Sequence, residues 1–456
     1  MVAEGGSAAN TGIGQPIRRR QDHRLLTGQG RFGDDLSLPG QVHAYLLRSP
    51  HAHAEIAGID TGAAGAAPGV VAVLTAADYI ADGNRPMAHA PASTSPPDIR
   101  LDNTDGSAIE APHQMPLAAE RARFVGEPVV LVVAETLAQA KDAAELIAVD
   151  YRPLPGVTLA PAAAAAQAPR VWEPRASNVV VDAMVGDGAA TEAAFARAAH
   201  VARLQTHVQR VTGVPMEART ALAEYDPASG RYTLYAGGGG VGRPRRDVAH
   251  MLAIDESRLR VVAYDVGGNF GTRNNTYPEL ALCCWAARRI GRPVKYLCER
   301  SEALLTDYQG RDLTVEAELA LDRDGNFLAL RASNLSNVGA YAASFVPLTK
   351  GTELMSSLYR TPAARARARA VFSNTPPTAP YRSAGRPEVM FVMERLIDRA
   401  AREFGFDRVA LRRRNLIPEA ALPYPNPFGM TYDSGAYEAI LDRTLALADW
   451  DGFPAR

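Results

Sequence analysis

Three observations predict a layered α/β or α+β protein with more than one domain. Short β-branched or alternating apolar runs take turns with apolar residues at helical spacing along most of the chain, the pattern of mixed sheet-and-helix layers. The chain has 456 residues, whereas a single domain usually takes about 100–200. A Pro- and Ala-rich stretch at 154–178 interrupts the pattern and reads as a connection between domains.

The elements follow in order. Residues 1–16 are rich in Gly, Ala and Ser and are expected to be disordered. In 17–153 the strands are expected at 42–48, 69–74 and 129–133. Residues 137–148 then have helical spacing, which closes on Val149-Asp150-Tyr151. Residues 91–116, rich in Pro, Ser, Asp and Asn, read as a long surface loop. In 179–425 strands are expected at 231–236, 258–264, 294–297 and 313–321, and helices at 245–253, 278–290 and 387–404. The last helix carries Val389, Val392, Met393, Leu396, Ile397, Ala400 and Phe404 as one apolar stripe and stops at Gly405, so it is expected to be a core helix. The tail, 426–456, holds one more helical stretch at 437–447.

Composition narrows the function classes. With 49 basic and 50 acidic residues the net charge is −1, which excludes polyanion binding as a property of the whole molecule and leaves room for a local basic pocket. Nearly all the positive charge is Arg, since only Lys141, Lys295 and Lys350 are lysines. Three cysteines are too few for a disulfide framework, and reduced thiols in a cytoplasmic setting are expected. No apolar run approaches the ~18 residues of a membrane span. Arg18-Arg19-Arg20 is followed by polar residues rather than by a signal-peptide apolar region. The expectation is a cytoplasmic protein with no membrane or nucleic-acid partner.

Two loops share one design. Asp265-Val266-Gly267-Gly268-Asn269-Phe270-Gly271-Thr272-Arg273 follows a strand and leads to a helix starting at Pro278. Pro380-Tyr381-Arg382-Ser383-Ala384-Gly385-Arg386 leads to a helix starting at Pro387. Pro suits a first helical position, because its missing N–H would be unpaired there anyway. A Gly-rich approach to a helix leaves backbone N–H groups free for anions or oxo groups, and each loop adds an Arg able to grip a phosphate or carboxylate with two parallel hydrogen bonds. The plainer alternative is that the glycines only permit tight turns and each Arg pairs with a surface carboxylate.

The remaining signals are weaker. Gly237-Gly238-Gly239-Gly240-Val241-Gly242 matches the dinucleotide pattern G-x-G-x-x-G, and Asp265 ends the next strand about 20 residues on. The preceding strand alternates rather than being continuously apolar, which argues against that reading. His51 and His53 have the spacing of two metal ligands on one side of a strand, but with no third ligand nearby they read as solvated or backbone-bonded. Cys283 and Cys284 read as core packing. Glu217, in Pro215-Met216-Glu217, reads as half of a structural ion pair.

Taken together these stretches resemble the molybdopterin-binding subunit of the xanthine dehydrogenase/aldehyde oxidase/carbon monoxide dehydrogenase family. The resemblance rests on Arg48-Ser49-Pro50-His51-Ala52-His53, Pro215-Met216-Glu217, Val266 to Gly271, Gly291-Arg292-Pro293-Val294-Lys295, Tyr381 to Arg386 and Leu411-Arg412-Arg413-Arg414-Asn415-Leu416, in the family's order. It implies an α/β hammerhead domain over 17–153, the connection at 154–178, and a first molybdopterin-binding domain over 179–425. Residues 426–456 would start a truncated or split second half.

The family hydroxylates an aldehyde or N-heterocycle carbon with oxygen from water, using a molybdenum–molybdopterin cytosine dinucleotide held through the pterin rather than by protein metal ligands. Its [2Fe-2S] clusters and FAD are expected on partner subunits, and a second-half subunit would complete the site. By this resemblance Arg382 and Ser383 are the catalytic candidates. Gly239, Gly240, Gly268, Phe270, Gly271, Arg382 and Ala384 are the cofactor-binding candidates. Gly239 stands where many relatives have a Gln, and the glycine run becomes a strand-to-helix turn of the family. Ser383 stands where carbon monoxide dehydrogenases have a copper-binding Cys, which disfavours CO as substrate. Asn274 follows Gly271-Thr272-Arg273 without the Glu that xanthine-type enzymes use, which leaves xanthine unsupported. The competing expectation is an inactive fragment or a scaffold of the same fold.

Overall fold

The computed structural model describes residues 15–87, 89–92 and 99–455; the expectation of disorder for 1–16 falls almost wholly outside them. Two sheets dominate. The larger has seven strands in the order Leu259–Val262, Arg231–Tyr235, Thr220–Asp226, Val294–Leu297, Val42–Arg48, Pro128–Ala134 and Val70–Thr75. Its middle is the parallel pairing of Val42–Arg48 with Val294–Leu297, in the register Val42 to Val294 and Ala44 to Tyr296. The early and late parts of the chain therefore share one sheet. They also share one core, in which Val42, Leu46 and Leu131 pack with Leu234, Leu282 and Tyr296. The helix Pro278–Ile290 covers this core with Cys283 and Cys284 fully buried, and burial holds both thiols protonated by raising their pKa.

The second sheet has five strands in the order Val179–Gly186, Ala363–Phe372, Phe327–Gly339, Leu313–Leu321 and His200–Val208. Alternation explains its two faces: in Ala363–Phe372, Ala364, Ala366, Ala368 and Ala370 point into the core while Arg365, Arg367 and Arg369 point out. The helix Arg386–Phe404 lies on the inner face with Val389, Val392, Met393, Leu396, Ile397 and Ala400 fully buried. Phe404 is only partly buried, stacking on His200 with ring centroids 4.5 Å apart. A three-stranded sheet of Arg121–Ala122, Ala54–Asp60 and Ala148–Pro153 flanks the first.

The connection expected at 154–178 is packed against the body of the protein. Val157, Ala160, Ala163 and Val171 are buried in the core of the five-stranded sheet, because its few apolar residues find that core within reach. Within the expected surface loop, Leu101 is buried in the same core with Ile99 and Ile109 against it, and Ile99 N–H donates to Glu353 at 2.9 Å. Residues 93–98 of that loop lie outside the described residues.

Glu127 ties the first part of the chain to the second core. Its buried carboxylate accepts the Tyr341 hydroxyl and, at 2.5 Å, the backbone N–H of Arg123. Burial raises its pKa against the lowering effect of those donors and of the Arg123 charge. The folded state thus keeps a proton that the unfolded chain gives up near the ordinary carboxylate pKa of about 4.3. The contribution to stability is complete below that value and is lost as pH rises through the raised folded value. Glu127→Gln is expected to flatten this decline, read as denaturation midpoints at a series of pH values from about 4 to 8. Parallel curves for the two proteins would mean that Glu127 does not titrate there.

The candidate molybdopterin-binding face

The two glycine loops meet back to back. Arg382 N–H donates to the carbonyl of Phe270 at 2.9 Å, so the tip of one loop hydrogen-bonds to the tip of the other. Gly271 makes this approach possible. Its φ is +91°, and a Cβ there would lie 2.4 Å from the carbonyl oxygen of Pro380, far inside contact distance, so only glycine fits. Gly385, with φ +82°, is as constrained: a Cβ would lie 2.3 Å from the carbonyl oxygen of Pro347. Phe270 and Ser383 are themselves left-handed, with φ of +52° and +68°. Such backbone costs about 1–3 kcal/mol per residue and persists where surrounding contacts over-determine it.

Those contacts are visible for each loop. In the second, Arg311 donates to the carbonyls of Tyr381 at 3.1 Å and Arg382 at 2.8 Å, pairs with buried Glu388 at 3.0 Å, and stacks over the Tyr381 ring. In the first, Glu217 accepts the Gly267 N–H at 2.7 Å and donates its own N–H to the Gly267 carbonyl at 3.2 Å. Gly271 N–H donates to the Asn269 side chain at 2.6 Å. Beneath the loop, Tyr277 donates its hydroxyl to the Thr272 carbonyl at 3.1 Å, with the Arg219 guanidinium over its ring at 4.3 Å.

The loops are less alike than their sequences. The Arg273 side chain is only 3% exposed and turns inward, donating to the Glu217 and Gly268 carbonyls. Burial lowers its pKa. Arg382 points the other way. It is exposed, and its guanidinium has no hydrogen-bond or ion-pair partner among the described residues. Beside it stand the exposed Ser383 and Phe270, the latter 44% exposed.

Gly239 and Gly240 lie on exposed backbone between Arg231–Tyr235 and the helix Gly242–Met251. Gly239 N–H donates to the Arg273 carbonyl at 3.1 Å, which joins this turn to the first loop. A Cβ on Gly240 (φ +122°) would meet nothing within 4 Å. Gly268 is half-buried against Pro215. Ala384 is buried and its N–H donates to the Tyr381 carbonyl at 2.9 Å, so it shapes the turn from within.

Glu217 does more than the expected ion pair, since Arg273 stands 3.8 Å away while two backbone N–H groups are closer. His53 is buried and bonded through Nδ1 to the Pro155 carbonyl at 2.8 Å, and His51 packs on Tyr151. Sequence reasoning missed Arg311, Arg219 and Tyr277. Arg311 and Arg219 meet partners tens of residues away in the chain, and the Tyr277 hydroxyl reaches back five residues to the Thr272 carbonyl without any motif that marks it.

Comparisons with known proteins identify the domains that carry these loops. The model of the molybdopterin cofactor-binding domain matches residues 171–416, and that of the aldehyde oxidase and xanthine dehydrogenase a/b hammerhead domain matches residues 27–155. The 6-hydroxypseudooxynicotine dehydrogenase complex subunit gamma of Paenarthrobacter nicotinovorans is 36% identical over 90% of this chain and 50% of its own length. The nicotine 6-hydroxylase large subunit of the same organism is 33% identical over 97% of this chain and 53% of its own. The crystal structure of quinoline 2-oxidoreductase from Pseudomonas putida 86 superposes with a TM-score of 0.88 at 35% identity, covering 96% of this chain and 55% of that one. Two domain models in tandem and relatives aligned over nearly the whole chain show that it belongs to the molybdopterin-binding subunits of the xanthine dehydrogenase/aldehyde oxidase/carbon monoxide dehydrogenase family, spanning about half the length of the relatives it matches.

Proposed function

We propose that this chain carries one side of the active site of a molybdenum hydroxylase, which oxidises an N-heterocycle or aldehyde carbon with oxygen from water, and that polypeptide beyond these residues completes the site. The observation that carries this reading is the exposed Arg382 guanidinium, without a partner among the described residues, beside exposed Phe270, where two loops join through their backbones. The residues suit an anionic, oxo-rich group: a free planar donor stands at the loop junction, and Gly240 opens onto space that a side chain would fill.

When bound, the molybdenum–pterin would supply the two-electron oxidation of the substrate carbon. The protein's part is placement. Arg382 offers a permanently charged donor to negative charge that develops during reaction, and the hydroxyl of Ser383 offers a second donor beside it. Phe270 provides a flat apolar wall suited to a planar ring. Gly240 leaves open backbone that the cofactor can approach closely, Gly239, Gly268 and Gly271 let the cofactor-facing loops pack tightly against Asn274, Pro215 and Pro380, and Ala384 holds the turn that aims Arg382. The nature of the relatives favours an N-heterocycle over an aldehyde, since they include a nicotine 6-hydroxylase and a quinoline 2-oxidoreductase. The reading extends to the cytosine dinucleotide form of the cofactor, with [2Fe-2S] and FAD groups on partner subunits and a second-half segment in the same or another chain. The setting is cytoplasmic.

One experiment tests the reading. The complete enzyme containing this chain, produced with its genomic neighbours, is expected to hold about one molybdenum per chain by mass spectrometry, and Arg382→Ala is expected to cut its turnover by roughly 10–1000-fold, as loss of one preorganised donor does elsewhere. A well-folded preparation without molybdenum would leave a scaffold. Unchanged turnover with full molybdenum would remove Arg382 from the mechanism.

A further inference from the structure

The root of the first glycine loop is gripped by a segment more than 200 residues away in the chain. From the helix Asp22–Leu26, Arg24 reaches both oxygens of Asp265, at 2.5 and 2.6 Å. The chain then runs alongside the loop root: Arg31 N–H donates to Asp265 Oδ2 at 2.8 Å, and Asp265 N–H donates to the Arg31 carbonyl at 2.9 Å. Two residues on, Glu217 bridges the segments, its carboxylate accepting Gly33 N–H at 3.0 Å and Gly267 N–H at 2.7 Å. There is no slack at the crossing, because a Cβ on Gly33 would lie 1.9 Å from the Thr220 hydroxyl. Lys295 anchors the far end, donating to the carbonyls of Asp34 at 2.7 Å and Leu36 at 3.0 Å.

This segment covers no apolar core. Among its residues from Arg24 to Asp35 none is buried. Its contacts with the loop are directional hydrogen bonds, several of them charge-assisted, which fix position more than they exclude water. They end three residues before Phe270, whose carbonyl receives the Arg382 N–H. The chain of contact therefore runs from Arg24 through Asp265 and Gly267 to Phe270 and on to Arg382.

We infer that residues 24–35 form a strap that sets the position of the 265–271 loop, and that Arg24 and Glu217 are positioning residues for the site at Phe270 and Arg382. The consequence for the site rests on the molybdenum-hydroxylase reading, whereas the hold on the loop does not. A fork to both carboxylate oxygens resists rotation as a single ammonium cannot, so Arg and Lys are not equivalent at position 24.

The test is hydrogen–deuterium exchange on the complete enzyme, with Arg24→Ala and Arg24→Lys beside the natural protein. In Arg24→Ala, amides of 265–271 are expected to exchange at least about tenfold faster while the five-stranded sheet exchanges as before, the mark of a local opening. Turnover is expected to fall about tenfold or more, since a full ångström of misplacement at a site can cost about 100-fold and loss of one clamp allows part of it. Arg24→Lys should restore part of both effects. Unchanged loop exchange would overturn the strap, as would a uniform rise across the chain. Faster loop exchange with natural turnover would overturn the positioning role. The exchange arm needs no catalysis, so an enzyme lacking molybdenum would fail the functional reading and leave the strap to be judged by exchange alone.

Discussion

Gly271→Ala is expected to cost the complete enzyme at least about 100-fold in turnover and to lower its molybdenum content, with little change in global unfolding. The methyl group would meet the Pro380 carbonyl oxygen at 2.4 Å, and backbone cannot swing aside as a side chain tip can. The residue would also have to hold φ near +91°, which costs a non-glycine residue about 1–3 kcal/mol. Relief comes by separating the loops, and the bond they share, Arg382 N–H to Phe270 carbonyl, breaks first. A displacement of about 1 Å at a preorganised site accounts for the expected loss. Gly405→Ala is the natural control, since it too has positive φ but a Cβ there would meet nothing within 4 Å. If the two variants lost activity equally, the clash at Pro380 would not be the cause.

Asp307→Ala is expected to lower stability by about 3–5 kcal/mol, the usual penalty for leaving a buried charge without its partner. Arg219 lies in the interior, held by Glu279 at 2.5 Å, by Asp307, and by the Thr306 hydroxyl at 2.9 Å. Glu279 stands in the first turn of the helix Pro278–Ile290, and Asp307 follows the helix Arg300–Thr306, so one guanidinium ties two helix ends to the strand Thr220–Asp226. Arg219→Met is expected to cost as much by stranding both carboxylates. Denaturation midpoints are the readout. A loss under about 1 kcal/mol, the size typical of an exposed pair, would mean that water reaches the group after opening. Because Arg219 also lies over Tyr277, which holds the Thr272 carbonyl, the damage should extend to the first glycine loop.

Much of the fold could be read from local pattern. The helix Pro278–Ile290 announces itself by Pro at its start, apolar residues at helical spacing, and Gly291 in a left-handed turn at its end. The strands Val294–Leu297 and Leu313–Leu321 carry the β-branched and alternating signals of their class. The strand Ala363–Phe372 escaped because alanine is a poor strand former, although its Ala-Arg alternation matches the buried and exposed faces of the sheet. The shared seven-stranded sheet escaped for a deeper reason. A connection rich in Pro and Ala marks where the pattern pauses, but strand register across it is set by packing partners far away in the chain.

The site divides in the same way. That two glycine loops matter was visible in their glycines and in the prolines that follow. That Arg382 faces outward while Arg273 faces inward was not, since their sequence settings are alike and only Glu217 and the Gly268 carbonyl distinguish them. Arg311 and Arg24 were hidden because each acts through a carboxylate or carbonyl brought close only by the fold.

The shared sheet also sets a timetable for synthesis. Val42–Arg48 can pair with Pro128–Ala134 as soon as that strand leaves the ribosome, but its other edge waits for Val294–Leu297, roughly 250 residues after Val42. At about 5–20 residues per second that wait is on the order of ten to fifty seconds. Throughout it an apolar strand offers unpaired N–H and carbonyl groups, the very features that template aggregation. The nascent amino-terminal third thus carries an open sheet edge by topology, and that edge closes only with the emergence of one short strand, Val294–Leu297.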